Sequence, residues 1–221
     1  EVEAHVLQIE VSSTHLLGLL NDILDISKIE AGKIELAEEH FDLPKLLAGV
    51  ESIIRPRCQE KNILFEVFIQ DLESTTFVSD PLRLRQVLIN LLGNSVKFTP
   101  ECGHVRFTVT QKERRDGQAL VTFSIADNGI GISPQVRETL FMPFEQGSGK
   151  ITQRYGGTGL GLSISRSIVQ LLGGDIDVES AEGQGSEFSF AIWLREGGLH
   201  TEEIVAAGDS SMLKGKRVLL V

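Results

Sequence analysis

The sequence is poor in cysteine, in tryptophan and tyrosine, and in positive charge. Its two cysteines, Cys58 and Cys102, cannot build a disulfide framework and match no structural zinc spacing. A reduced, cytosolic setting is the simpler expectation. Against 31 acidic residues stand 21 Lys and Arg, leaving a formal charge of -10 and a pI near 5.0. That balance lacks the basic footprint needed for non-specific binding to nucleic acid or anionic lipid, so no nucleic-acid partner is expected. No apolar run reaches the length of a membrane-spanning helix, and no secretory leader is visible. Membrane attachment, if the intact protein has any, would come through regions N-terminal to this chain. The chain also lacks an initiating methionine and stops inside an apolar run, so a piece of a longer protein is expected. What is present is ordinary for a globular protein: 41% hydrophobic and 24% charged residues over 221 positions, with 22 glycines.

The pattern divides the chain. Val2, Val6, Ile9, Ser13, Leu16, Leu20, Ile23 and Ser27 recur in steps of four and three, a heptad seam with two serine members. Leu17 and Leu24 widen it into the stripe of a bundle helix, which Glu30-Ala31-Gly32 ends. So apolar a helix needs a partner, through a dimer or a neighbouring helix. From Phe41 the signals turn to mixed α and β. They predict a helix over Leu46–Glu60, a strand over Ile63–Ile69, and a helix capped by Asp80 with Pro81 at its first position. The alternation Val105, Phe107, Val109 predicts a half-buried strand, joined by a charged turn from Glu113 to Gly117 to a second one over Leu120–Ala126. A short helix follows Gly131, then a polar, glycine-rich loop from Glu145 to Thr158 and a helix over Leu160–Leu172. Strands at Ile176/Val178 and Phe188–Leu194 close the unit. The expected organisation is 1–31 bundle helix, 32–40 linker, 41–196 α/β domain, 197–214 acidic linker and 215–221 the first strand of another domain.

Three segments carry chemistry. On the helix after Asp80, the residues Arg83, Gln86, Asn90, Asn94 and Lys97 form one polar stripe opposite Leu84, Leu88, Leu91, Leu92 and Ser95. A merely solvated face would favour Glu, Lys or Gln, since asparagine is a poor interior helix former. Two asparagines one turn apart instead offer amide oxygens to a hard cation such as Mg²⁺, and Lys97 suits phosphate. Asp127-Asn128-Gly129-Ile130-Gly131-Ile132 places a carboxylate at a strand end beside permissive glycines. It can accept from an exocyclic amine or simply close an Asx turn. Gly156-Gly157-Thr158-Gly159-Leu160-Gly161-Leu162 opens a helix, whose backbone N–H groups attract anions. It is neither a Walker loop nor a dinucleotide fingerprint. Together the segments point to a nucleoside triphosphate.

Their order and wording resemble the catalytic ATP-binding domain of sensor histidine kinases, within the wider group that holds gyrase B, mismatch-repair ATPases and the heat-shock chaperone ATPase. Asn90, Asn94, Lys97 and Phe98 match that family's N box, and Asp127, Gly129 and Gly131 its first glycine box. Phe141-Met142-Pro143-Phe144 matches its F box, and Gly157, Gly159 and Gly161 the second glycine box. The resemblance spans Ser27 to Leu194, and the first helix is similar to the second helix of a dimerisation and phosphotransfer hairpin. It implies an α+β, Bergerat-type two-layer sandwich of a mixed sheet covered by helices, preceded by the bundle helix. It further implies that Asn90 ligates Mg²⁺, that Asn94 and Lys97 contact the phosphates of ATP, and that Asp127, supported by Gly131, reads the adenine amino group. Phe141 and Phe144 would anchor a lid, with Arg154 and Tyr155 as contacts and Gly159 and Gly161 as its hinge. Phe98, Gly129, Ile132, Gly157, Thr158, Leu160 and Leu162 complete the ATP-contacting set.

Hydrolysing members of the group carry a glutamate four residues before the metal-binding asparagine. Gln86 occupies that position here and cannot take a proton, so transfer to a protein side chain is favoured over hydrolysis. Neither His5 nor His15 has the acidic neighbour of a phosphoacceptor, and the acceptor histidine is expected outside this chain. Gly215–Val221 resembles the opening of a response-regulator receiver domain, which implies a hybrid kinase with a receiver as partner and a homodimer in the intact protein. The alternatives are an ATPase clamp of the gyrase or chaperone type and a non-catalytic nucleotide-sensing module.

Overall fold

The computed structural model describes residues 13, 16, 17, 20, 23–28, 31, 33–144 and 159–198. The heptad members Val2, Val6 and Ile9, the helix stop at Gly32, His5 and His15, and the segments from Leu199 onward lie outside them. In chain order come a first helix α1, helical at 13, 16, 17, 20 and 23–28, then β1 (Glu39–Asp42), α2 (Leu43–Glu60), β2 (Leu64–Gln70), β3 (Thr76–Ser79) and α3 (Pro81–Phe98). After them follow β4 (His104–Arg115), β5 (Gln118–Asp127), α4 (Pro134–Thr139), α5 (Gly161–Leu171), β6 (Ile176–Ala181) and β7 (Gly185–Glu196).

The strands form one mixed sheet in the order β1-β3-β7-β5-β4-β2, with β6 also on β7. Among the described strands only β2 and β4 pair in parallel. One edge of β7 is paired along its length with β5; the other is shared between β6, over Gly185–Phe190, and β3, at Arg195 and Glu196. Alternate residues of the central strands are buried on one face: Val105, Phe107, Val109, Val121, Phe123, Ile125, Phe190 and Ile192. Against that face lie the apolar stripes of α2, α3 and α5, with α3 in the middle, touching both others. Phe123 and Phe190, cross-strand partners, stack with centroids 4.8 Å apart at the centre of this core. The architecture is the two-layer α+β sandwich that the sequence implied.

Several boundaries differ from expectation. Strands β1 and β3 were not foreseen. Each has four residues and one inward phenylalanine, Phe41 and Phe77, which pair in register. Four residues are too short for an alternation to show. Helix α2 begins three residues early because Asp42 caps it, accepting from the Lys45 amide at 2.7 Å. The predicted turn from Glu113 to Gly117 shrinks to Asp116-Gly117. Both residues are left-handed, as a type I′ hairpin turn requires, and β4 runs on to Arg115. Asp80 does cap α3 as expected: one carboxylate oxygen takes the Arg83 amide at 2.9 Å, and the other ties down the Ala37 amide at 3.1 Å.

Candidate functional site

Helix α3 is the spine of the site. Its buried stripe of Leu84, Val87, Leu88, Leu91, Leu92, Ser95 and Val96 holds it against the sheet, so its polar stripe must face outward. Gln86, Asn90, Asn94 and Lys97 there line an open cleft of about 470 Å³, with Ile89, Gly93 and Arg57 of α2. Among the described residues no carboxylate lines this cleft, although the chain as a whole is strongly acidic. Burial holds the Lys97 ammonium below its ordinary pKa, and its Nζ lies 5.0 Å from the Phe98 ring centroid. Asn90 is fixed by donating from Nδ2 to Ser165 Oγ of α5 at 2.8 Å. Its Oδ1 lies so close to Gly161 that a Cβ there would collide with it. A larger residue at 161 would require the Asn90 side chain to move.

The Asp127 loop meets the other end of the same helix. Ile130 N–H donates to the Phe98 carbonyl at 3.3 Å, and a Cβ at Gly129 would come within 2.7 Å of that oxygen. Asp127 Oδ1 accepts the Gly129 amide at 2.9 Å, so the Asx turn does form and aims the carboxylate. Burial raises the Asp127 pKa above the ordinary carboxylate value; the amides of Gly129 and Ser186 and the Ser95 hydroxyl pull the other way. The Ser95 hydroxyl reaches toward this carboxylate without completing a well-formed hydrogen bond. Gly131 is left-handed (φ 67°) and packs on the Ala181 carbonyl, while Ile132 N–H donates to Ser180 Oγ at 2.8 Å. Asp127 therefore stands near the C-terminal end of α3 and does not line the cleft that Asn90, Asn94 and Lys97 share.

The two phenylalanines expected to anchor a lid differ in the structure. The Phe141 ring packs on the core and lies under the Arg166 guanidinium, 4.8 Å away. The Phe144 ring is 69% exposed, and its contribution is its backbone: left-handed at φ 65°, its N–H donates to the Gly159 carbonyl at 3.1 Å. That bond clasps the two ends of segment 145–158. Arg154, Tyr155, Gly157 and Thr158 lie outside the described residues. Leu160 is buried and half-buried Leu162 packs on the same core. At the N-cap of α5, Leu160 offers no side-chain cap to the first amides.

The N-terminal part of the polar stripe, Arg83 and Gln86, faces a carboxylate of α1. Asp25 Oδ2 on α1 accepts from Arg83 Nη1 at 2.8 Å and from Gln86 Nε2 at 2.9 Å, and Arg83 Nη1 also donates to Gln86 Oε1 at 2.8 Å. Burial alone would raise the Asp25 pKa, but these hydrogen bonds and the Arg83 charge bring it below the ordinary value. Sequence reasoning missed this pairing, as it missed Arg57, Ser165 and Ser180. The serines inside α5, at 163 and 165, were the available sign, since buried serine in a helix calls for a partner.

The profile of the family described as histidine kinase-, DNA gyrase B-, and HSP90-like ATPase matches residues 79–196. The chain belongs to that family. It carries the ATP-binding catalytic domain of the sensor histidine kinases. The autoinducer 2 sensor kinase/phosphatase LuxQ of Vibrio vulnificus is 37% identical over 213 residues, which are 95% of this chain and 25% of LuxQ. Sensor histidine kinase GacS of Pseudomonas protegens is 42% identical over 186 residues, 84% of this chain and 20% of GacS. Among solved structures, full-length ShkA in complex with AMPPNP superposes with a TM-score of 0.73 at 35% identity, over 88% of this chain and 39% of ShkA. Histidine kinase ThkA in complex with the response regulator TrrA gives 0.60 at 29% identity, over 82% of this chain and 49% of ThkA. The chain thus spans a quarter or less of the length of these two curated relatives.

Proposed function

We propose that the intact protein is a histidine kinase whose domain grips Mg-ATP along α3 and passes the γ-phosphoryl group to a histidine elsewhere. Asn90 would hold the cation, Asn94 and Lys97 the phosphates, and Asp127 the adenine amino group. The observation that carries this reading is the convergence on one helix. Its outward stripe lines one open cleft, its last carbonyl buttresses the Asp127 loop, and the start of α5 abuts Asn90.

The donor chemistry fits a cation that arrives with its nucleotide. Among the described residues no three His, Cys, Asp or Glu side chains cluster to hold a metal. An amide oxygen alone binds Mg²⁺ weakly, and phosphate oxygens would supply the remaining ligands. When bound, Mg-ATP provides the transferable phosphoryl group. The chain's own residues would position and neutralise it: Lys97, partly desolvated, gains from a nearby phosphate, and the first amides of α5, which the Leu160 side chain does not cap, would meet the same anion. Gln86, held by Asp25 and Arg83, cannot accept a proton from water, which favours transfer over hydrolysis. No helix among the described residues is long and apolar enough to cross a membrane. A cytoplasmic domain, dimerising through the exposed Leu16, Leu20 and Ile23 of α1 and passing phosphate to a receiver domain, completes the proposal.

The test is calorimetry with a non-hydrolysable ATP analogue, with and without Mg²⁺. Binding that strengthens with Mg²⁺, loses that dependence in Asn90→Ala and weakens in Asp127→Asn is the expected result. Undetectable binding overturns the proposal, and sustained phosphate release would instead favour an ATPase clamp.

A further inference from the structure

The last turn of α3 leaves carbonyls that no helical amide can satisfy, and the structure accounts for each of them. Ser95 O accepts both the Thr99 amide, at 3.0 Å, and the Thr99 hydroxyl, at 2.7 Å. Pro100 O accepts the Gly103 amide at 3.1 Å. Val96 O, Lys97 O and Thr99 O all accept from a single group, the Lys61 ammonium, at 2.8, 3.2 and 2.5 Å. An ammonium has three donors, and all three are used. The one carbonyl they skip is Phe98 O, which takes Ile130 N–H from the Asp127 loop. Lys61 is itself held on both sides. Its N–H donates to Cys58 O at the end of α2, and its own carbonyl accepts the Cys102 amide at 3.1 Å.

We propose that Lys61 is a positioning residue for adenine recognition. By fixing the carbonyls on both sides of Phe98 it turns the Phe98 oxygen toward Ile130, and so sets where the Asx turn presents the Asp127 carboxylate. The cation also counters the partial negative charge at the C-terminal end of α3, two turns from Asn90. Lys61 touches neither base nor phosphate in this scheme. It acts through the backbone, from a position about 30 residues before the first nucleotide motif. The proposal rests on the reading of Asp127 as the adenine-recognising group.

The experiment compares ATP and GTP, each with Mg²⁺, by competition against a fluorescent ATP analogue on the full 221-residue chain. Four forms are measured: wild type, Lys61→Met, Lys61→Arg and Asp127→Asn. Wild type is expected to prefer ATP, and Asp127→Asn to lose that preference. Lys61→Met should weaken ATP about fivefold while leaving GTP unchanged, the scale of a misplaced hydrogen bond. Lys61→Arg should fall between, because a planar fork cannot meet three carbonyls at once. A helix cap with no further role would lower the melting temperature and leave the ATP-to-GTP ratio alone, so a wild-type ratio in Lys61→Met overturns the proposal. Should Lys61→Met not fold, a wild-type ratio in Lys61→Arg, with wild-type hydrogen exchange at the Ile130 amide, overturns it equally. A wild-type chain that binds both nucleotides alike sinks the Asp127 reading and this proposal together.

Discussion

Asp127→Asn should make the protein more stable and less able to bind ATP. The replacement keeps the size of the side chain and the oxygen that accepts the Gly129 amide at 2.9 Å, so the Asx turn survives. It removes a charge that burial penalises, which is why the wild-type pKa lies above its ordinary value of 3.8. The sign follows from proton linkage. Between 3.8 and the raised folded value the native state binds more protons than the unfolded chain, so wild-type stability falls as pH rises through that window. Above the window the cost is fully present; at pH 7 the amide variant escapes it. Against ATP the exchange works the other way. A charge-assisted hydrogen bond of about 1.5–3 kcal/mol is lost, and an amide donor now faces the adenine amino donor. Affinity should fall about 10- to 150-fold. Thermal melts at pH 3.5–7 and calorimetry with an ATP analogue read the two effects separately. A variant that melts several degrees lower, or that binds ATP as tightly as wild type, refutes the reasoning.

Three further outcomes are expected. Gly131→Ala should cost more than Gly117→Ala in urea denaturation. Both impose a left-handed alanine, at about 1–2 kcal/mol, but only at 131 does the new Cβ meet a backbone carbonyl, whereas at 117 it meets nothing within 4 Å. Asp25→Asn should loosen α1 from α3, read as faster hydrogen exchange over residues 23–28. Because the folded Asp25 pKa lies below 3.8, wild type keeps this contact above that pH and loses it as pH falls through the folded value. Phe123→Ala, which removes one ring of the stacked pair, should cost about 3–5 kcal/mol, visible as a lower urea midpoint with an unchanged slope.

What could be read from the chain was what local chemistry dictates. Asp80-Pro81 announced α3, and the leucines of that helix announced which side would be buried. The polar stripe was legible for the same reason, yet its division was not. Whether Gln86 faces a nucleotide or Asp25 depends on a residue 61 positions away, and periodicity holds no such information. Strands β1 and β3 escaped notice because their stability comes from partners, Phe41 with Phe77 and Val78 with Arg195, rather than from their own pattern. The sequence could not tell the two phenylalanines of the F box apart: one side chain is packed, and the other residue bonds through its amide.

Strand β7 lies between β5 on one side and β3 and β6 on the other, and it is the last of the described strands to leave the ribosome. Until residues 185–196 emerge, the hairpin of β4 and β5 and the pair formed by β1 and β3 have no common neighbour to join them. Assembly of the sheet must therefore wait until β7 has been made. A chain cut short before Gly185 would lose a seam rather than a margin, leaving two half-sheets with open edges.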